Sequence, residues 1–220
     1  MIKNNTGFGF GELTIGLLIL FAAFILFFGK KVFSIKRVKH YQLIDEELNI
    51  TQDYQKNINI GSIIGGTKTR FTENGEGHGL SVYFDIYLEN AQGHKGWTSQ
   101  YDKHKPILRI GNSPHIYVNH KTGMLVVMLQ YKDNPYYSHY PQIEVELPHQ
   151  KWTKVLVVID GRYVNIYYDD KLIKSAKLGN VPYLHLTDDS VVVIGEQGNN
   201  MQGKVRDLRL YYSPAHLEDL

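Results

Sequence analysis

Cysteine is absent from the 220 residues. Disulfide frameworks and Cys-based zinc sites are therefore excluded. The 10 histidines form no H-E-x-x-H run and no pair at ligand spacing, so they read as surface residues rather than a metal set. Charge of one sign is not in excess either. The net charge is +2, and nothing global points to nucleic acid as a partner. After residue 29, no stretch keeps helical periodicity for more than two turns. No D-x-D-x-D run exists to cage a hard cation, which takes six to eight oxygens. Asp102, Asp133, Asn134, Asp188 and Asp189 are scattered loop oxygens, so calcium is the one metal with candidate ligands, and no cofactor is expected.

What is present favours strands. The chain holds 16 Tyr and 9 Phe, and β-branched residues are frequent. "GLSVYFDIYLEN" (79–90) alternates apolar and polar residues. "PILRIGN" (106–112), "HIYVN" (115–119), "MLVVMLQY" (124–131), "QIEVELP" (142–148), "WTKVLVVID" (152–160), "YVNIYYD" (163–169), "KLIKSAKL" (171–178), "SVVVIG" (190–195) and "KVRDLRLYY" (204–212) follow. About ten strands at short spacing, with turn residues between them, are the signature of a sandwich or barrel. Asp160-Gly161 reads as a two-residue hairpin turn and Asp169-Asp170 as a weaker one. Val164, Ile166 and Tyr168 then share one face, with Asn165 and Tyr167 on the other.

The first thirty residues are different. Leu13 to Phe28 carries no charge. It is near the short limit of a membrane span, about 17–25 residues, and reaches that length when counted from Phe8 or Phe10. Only Lys3 precedes it and no A-x-A site follows, so an uncleaved anchor is expected rather than a signal peptide. Lys30, Lys31, Lys36, Arg37 and Lys39 flank its far end, against Lys3 before it. Positive residues stay on the cytoplasmic side. The N-terminus is thus expected outside or in a lumen, with the bulk of the chain on the cytosolic side and the basic flank against anionic lipid. The expected organisation is an anchor over 1–29, a basic flank and stalk over 30–57 with a first strand near Tyr41–Ile44, and a β domain over 58–220.

The order of residues from 149 onward is familiar. Trp152 opens a strand that ends in Asp160-Gly161. Ile166-Tyr167 and Lys171-Leu172 flank the next turn, with Asp170 where glycine is usual. Ile194-Gly195 ends a strand, and Gly203, Val205, Asp207, Arg209 and Tyr211 form a closing one. This resembles the laminin-G / concanavalin A-like lectin–glucanase superfamily over roughly residues 58–213. The resemblance implies an all-β, two-sheet antiparallel jelly-roll sandwich. It does not imply one activity, because the fold hosts lectins, adhesion modules, hydrolases and shell proteins.

The family's hydrolases carry an E-x-D-x-x-E or E-x-D-x-E run, with two carboxyls about 5–5.5 Å apart in a retaining enzyme. Here Glu144-Val145-Glu146 lacks the middle acid, and the expectation is an edge strand kept soluble by charge. No catalytic residue is assigned. Loop aromatics carry more signal: Trp97 and Tyr101 in one loop, and Tyr136, Tyr137, His139 and Tyr140 in another. Such rings give a protein interface or a sugar platform large rigid area, or they cover the ends of the sandwich. Three roles compete. One is a non-enzymatic anchored protein docking on neighbouring structural proteins, similar to membrane-tethered minor capsid proteins joining a viral shell to an internal membrane. The second is a lectin-like module binding glycans at a membrane, which needs the opposite orientation, and the third, ranked last, is a degenerate glycoside hydrolase. If the flank argument holds, protease added to sealed cells leaves the β domain intact, and its digestion from outside reverses the orientation.

Overall fold

The structure, a computed structural model, describes residues 40–57, 79–90, 104–119, 121–131, 140–184, 186, 190–196, 202–215 and 217. The expected anchor and its flank, Lys30, Lys31, Lys36, Arg37 and Lys39, lie outside them. Among the described residues no helix is long and apolar enough to cross a membrane.

Among the described residues thirteen strands run in chain order. They are β1 (His40–Ile44), β2 (Leu48–Asn49), β3 (Tyr54–Asn57), β4 (Leu80–Asn90), β5 (His104–Ile110), β6 (His115–Asn119) and β7 (Met124–Met128). β8 (Gln142–Glu146), β9 (Trp152–Asp160), β10 (Tyr163–Tyr168), β11 (Lys171–Lys177), β12 (Val191–Ile194) and β13 (Gln202–Tyr211) complete them. They form two antiparallel sheets. A seven-stranded sheet runs β1-β13-β4-β9-β10-β11, with β2 also on β13, and a six-stranded sheet runs β3-β12-β5-β6-β7-β8. This is the two-sheet jelly roll expected above.

Alternation builds the layer between the sheets. Leu80, Val82, Phe84, Ile86 and Leu88 of β4 point inward and are almost wholly buried, as are Val155, Val157 and Ile159 of β9. Ile116, Val118, Leu125 and Val127 meet them from the six-stranded sheet. Each such side chain contributes about 1.5–3 kcal/mol by leaving water.

Two expectations are corrected. Residues 40–57 are part of the sandwich rather than a stalk preceding a domain that starts at residue 58. β1 and β2 pair with β13, β3 pairs with β12, and Leu43, Ile44 and Ile50 sit in the core. β2 is two residues long and β3 is "YQKN", too short and too polar for period-two reading. The hairpin turn is also displaced by one residue. Asp160 pairs with Tyr163, so the loop is Gly161-Arg162, with Gly161 at φ 53°. Glycine at the first loop position suits a type II′ turn. At the next turn Asp169 and Asp170 both adopt positive φ, 45° and 67°, as a type I′ turn requires. The Asp169 carboxylate accepts a hydrogen bond from the Lys154 backbone N–H at 3.0 Å.

Gly195 follows β12 at φ +69°, with its N–H donating to Ile107 O at 2.9 Å. A Cβ there collides with the carbonyl oxygens of Ile50 and Gln52. Gly195→Ala is therefore expected to cost at least about 2 kcal/mol in urea unfolding, through backbone strain and displacement of the β2–β3 segment.

Candidate functional site on the seven-stranded sheet

The outward positions of β4, β9 and β13 are not ordinary solvent-facing residues. β4 presents Tyr83, Asp85 and Tyr87, β9 presents Trp152 and Leu156, and β13 presents Lys204, Arg206 and Arg209. Register aligns them: Tyr87 is abreast of Trp152 on one side and Lys204 on the other, and Asp85 is abreast of Arg206. The Arg206 guanidinium carbon stands 4.1 Å from the centre of the Trp152 ring, a cation–π stack. Its Nε donates to Asp85 Oδ2 at 3.2 Å. Tyr83 donates its hydroxyl to Asp85 Oδ1 at 2.9 Å. Burial, then the hydrogen bond to Asp85 and its charge, push the Tyr83 phenol well above its ordinary range, so it stays a donor. The Tyr87 and Trp152 rings lie 5.7 Å apart at 45°, and both are half-buried.

Beyond Lys204 the face opens into a cavity of about 300 Å³ lined by Asn49, Thr51, Glu89, Gln202, Gly203 and Lys204. Gly203 makes room for close sheet packing below it, since a Cβ there meets Ile50, Leu88 and the Tyr87 carbonyl at 2.8 Å. Lys204 Nζ is paired with Glu47 at 2.6 Å, and that hydrogen bond and charge hold its ammonium above the ordinary lysine value. Thr51 donates its hydroxyl to Asn49 Oδ1 at 2.9 Å. Aromatic rings thus stand beside amides, a carboxylate and a hydroxyl, a composition suited to a ligand with an apolar face and many hydroxyls.

The expected site residues fare differently. Trp97, Tyr101, Tyr136, Tyr137 and His139 lie outside the described residues, as do Asp102, Asp133, Asn134, Asp188 and Asp189. Among the described residues no three His, Asp or Glu side chains converge as metal ligands. Tyr140 is described, and it is a correction: it is 7% exposed and packs with Val126, Met128 and Tyr117 on the outward side of the six-stranded sheet. Its ring is part of a small apolar cluster, not an open contact surface. Glu144 and Glu146 fall on β8, the last strand of that sheet, facing away from buried Ile143 and Val145. The outward residues of β4 were visible in "SVYFDIYLEN" as every second polar or aromatic residue, whereas in "KVRDLRLYY" that alternation holds only to Arg206, because the bulge at Asp207 returns Arg209 to the outward side. Neither that bulge nor the pairing of the two strands was legible.

No family model matches the chain, and none of the curated proteins does. Solved structures similar to it include the ligand-binding domain of botulinum neurotoxin serotype D, in complex with N-acetylneuraminic acid. That match has 16% identity over 83% of this chain and 43% of the other, with a TM-score of 0.55. The receptor-binding domain of the mosaic C/D serotype matches at 15% identity over 83% and 44%, with a TM-score of 0.58. Botulinum neurotoxin type C, whose cell entry depends on interaction with two ganglioside molecules, matches at 13% identity over 83% and 44%, TM-score 0.52. The chain spans less than half the length of these structures. The likeness is one of fold. It supports the two-sheet antiparallel jelly-roll sandwich expected from the closing strands.

His115 lies beside the Tyr140 cluster and is 4% exposed. Its Nε2 donates to Gly111 O at 3.2 Å, leaving Nδ1 to accept from the Tyr117 hydroxyl at 3.3 Å. Burial lowers its pKa from the ordinary 6.5, the hydrogen bond to Gly111 opposes that, and the Arg109 charge adds to the lowering. The unfolded chain then binds the proton first as pH falls. Stability is expected to be level above about pH 7 and to decline toward about pH 5. Thermal melts across that range should show the slope in the parent and a shallower one in His115→Gln.

Proposed function

We propose that this chain is a non-catalytic, lectin-like binding module that holds a glycan on the outward face of its seven-stranded sheet. The observation that carries this reading is the Trp152–Arg206–Asp85–Tyr87 arrangement beside the cavity at Asn49, Thr51, Glu89 and Gln202. The half-buried rings of Tyr87 and Trp152 offer apolar area to the C–H face of a sugar, and the neighbouring amides and carboxylate offer partners to its hydroxyls. Arg206 and Lys204 are already paired, with Asp85 and Glu47, so the site is close to neutral. A hydroxyl-rich, weakly charged saccharide suits it better than a phosphate or a nucleic acid. The similar domains solved with N-acetylneuraminic acid, or described with gangliosides, support the ligand class by analogy. The greasy segment 13–28 would tether the module to a membrane. The similar structures lend the docking role no support, and the glycan reading is preferred.

The test is a glycan array followed by titration calorimetry on the full chain. Trp152→Ala is expected to weaken binding roughly tenfold or more, as loss of a stacking ring does. Glu144→Gln should leave it unchanged. Absence of any bound glycan sinks the proposal. So does cleavage of a β-glucan that is lost in Glu144→Gln. If Tyr136→Ala with Tyr137→Ala abolishes binding while Trp152→Ala does not, the ligand belongs to the loop and not to this face.

A further inference from the structure

We infer that the β10–β11 hairpin is a contact surface for an anionic lipid bilayer. This goes beyond the glycan reading and is independent of it, since β11 lies two strands past Trp152 at the edge of the sheet. β11 is exposed along nearly its whole length. Leu172 is 54% exposed, Tyr163 50%, Ile173 45% and Val181 44%. Among the described residues only Leu217 joins them as a large exposed hydrophobic. Leu172 and Ile173 are consecutive at one end of the hairpin, while Tyr163, opposite Lys177, marks its other end and Val181 follows β11, so the exposed apolar residues gather along this edge and do not scatter singly over the surface. The pairing passes from Ile166↔Lys174 to Tyr167↔Leu172 and skips Ile173. Such a bulge re-aims a side chain. It leaves two consecutive aliphatic residues in solvent, where a regular edge strand would direct one of them toward the other sheet.

Charge points to the occupant. Between residues 151 and 178 lie six basic residues, Lys151, Lys154, Arg162, Lys171, Lys174 and Lys177, against three acidic ones, Asp160, Asp169 and Asp170. That surplus of three exceeds the +2 of the whole chain, so positive charge is concentrated on this side of the domain. Asp169 is occupied by the Lys154 N–H at 3.0 Å and by Lys151 Nζ at 3.5 Å. Lysines along an edge strand, together with a bulge, oppose pairing with another chain's strand. Aliphatic side chains on an exposed edge strand that also carries Lys171, Lys174 and Lys177 are instead the pattern of a surface resting in the headgroup region, where each cation gains from anionic lipid. The apolar stretch 13–28 gives the same chain a second reason to be near a bilayer.

The chain has no cysteine, so Ile173→Cys accepts one environment-sensitive fluorophore at a single site. The labelled full chain is mixed with vesicles of phosphatidylcholine, with and without phosphatidylserine. A blue shift and a several-fold gain in emission are expected only with phosphatidylserine. Changing Lys171, Lys174 and Lys177 to Gln should weaken that response roughly a hundredfold in lipid concentration, and high salt should do the same to the parent. The same label at Asp53→Cys, between β2 and β3, should stay in water. No shift at residue 173 overturns the inference, as does an equal shift on neutral lipid or at both labels. A shift that rises with protein concentration without lipid assigns the patch to a second copy of the chain, and also overturns it.

Discussion

Asp85 occupies an outward position on a central strand, yet its side chain is only 10% exposed. A carboxylate so enclosed needs a cation and donors, or it costs several kcal/mol. Arg206 and the Tyr83 hydroxyl supply both, at 3.2 and 2.9 Å. The consequence reaches further than one pair. Arg206 meets Asp85 only in the register that also sets Val205 against Ile86. A slip of one residue would turn the inward side chains of β13 to the outside. Core and outward platform therefore depend on one alignment of β4 with β13.

β13 would lose that alignment partway without its irregularity. The register shifts between Arg206 and Arg209, and Asp207 there takes φ 51°. The extra residue keeps Leu208 inward and returns Arg209 to the outward side. Asp207 then binds Arg209 through two hydrogen bonds, at 2.8 and 2.6 Å, and accepts a third from Gln42 of β1 at 2.8 Å. Arg209 in turn lies 5.1 Å from the Tyr83 ring centre. Paired groups thus run from β1 through β13 and β4 to Trp152 on β9. Rings and charges held this way lose little freedom when a ligand arrives, which favours binding over a face of unrestrained side chains.

The two outward faces solve different problems. On the six-stranded sheet, Tyr117, Val126, Met128 and Tyr140 close on each other, and His115 is neutral beside them. That cluster is apolar and closed, with Glu144 and Glu146 of β8 on the same outward side beyond it. On the seven-stranded sheet the rings of Tyr87 and Trp152 stay half open next to a polar cavity. Tyr140 shows why a count of loop aromatics misleads: a tyrosine next to a proline reads as a contact residue until its neighbours are seen to bury it.

β6 and β9 occupy the spans that their alternation marks, residues 115–119 and 152–160, because each carries enough period-two residues to define both ends. The closing "GKVRDLRLYY" likewise declared its strand. β2 and β3 could not be read, since two to four residues hold no period. Local alternation, turn chemistry and the absence of cysteine thus sufficed for an all-β sandwich without disulfides or Cys-based zinc sites. They did not suffice for the platform. Trp152 and Arg206 lie far apart in the chain and become neighbours only because β9 and β13 both pair with β4. Which strands adjoin is decided by how the inward faces of two sheets fill one core, and that choice is nonlocal, so only the tertiary structure made it.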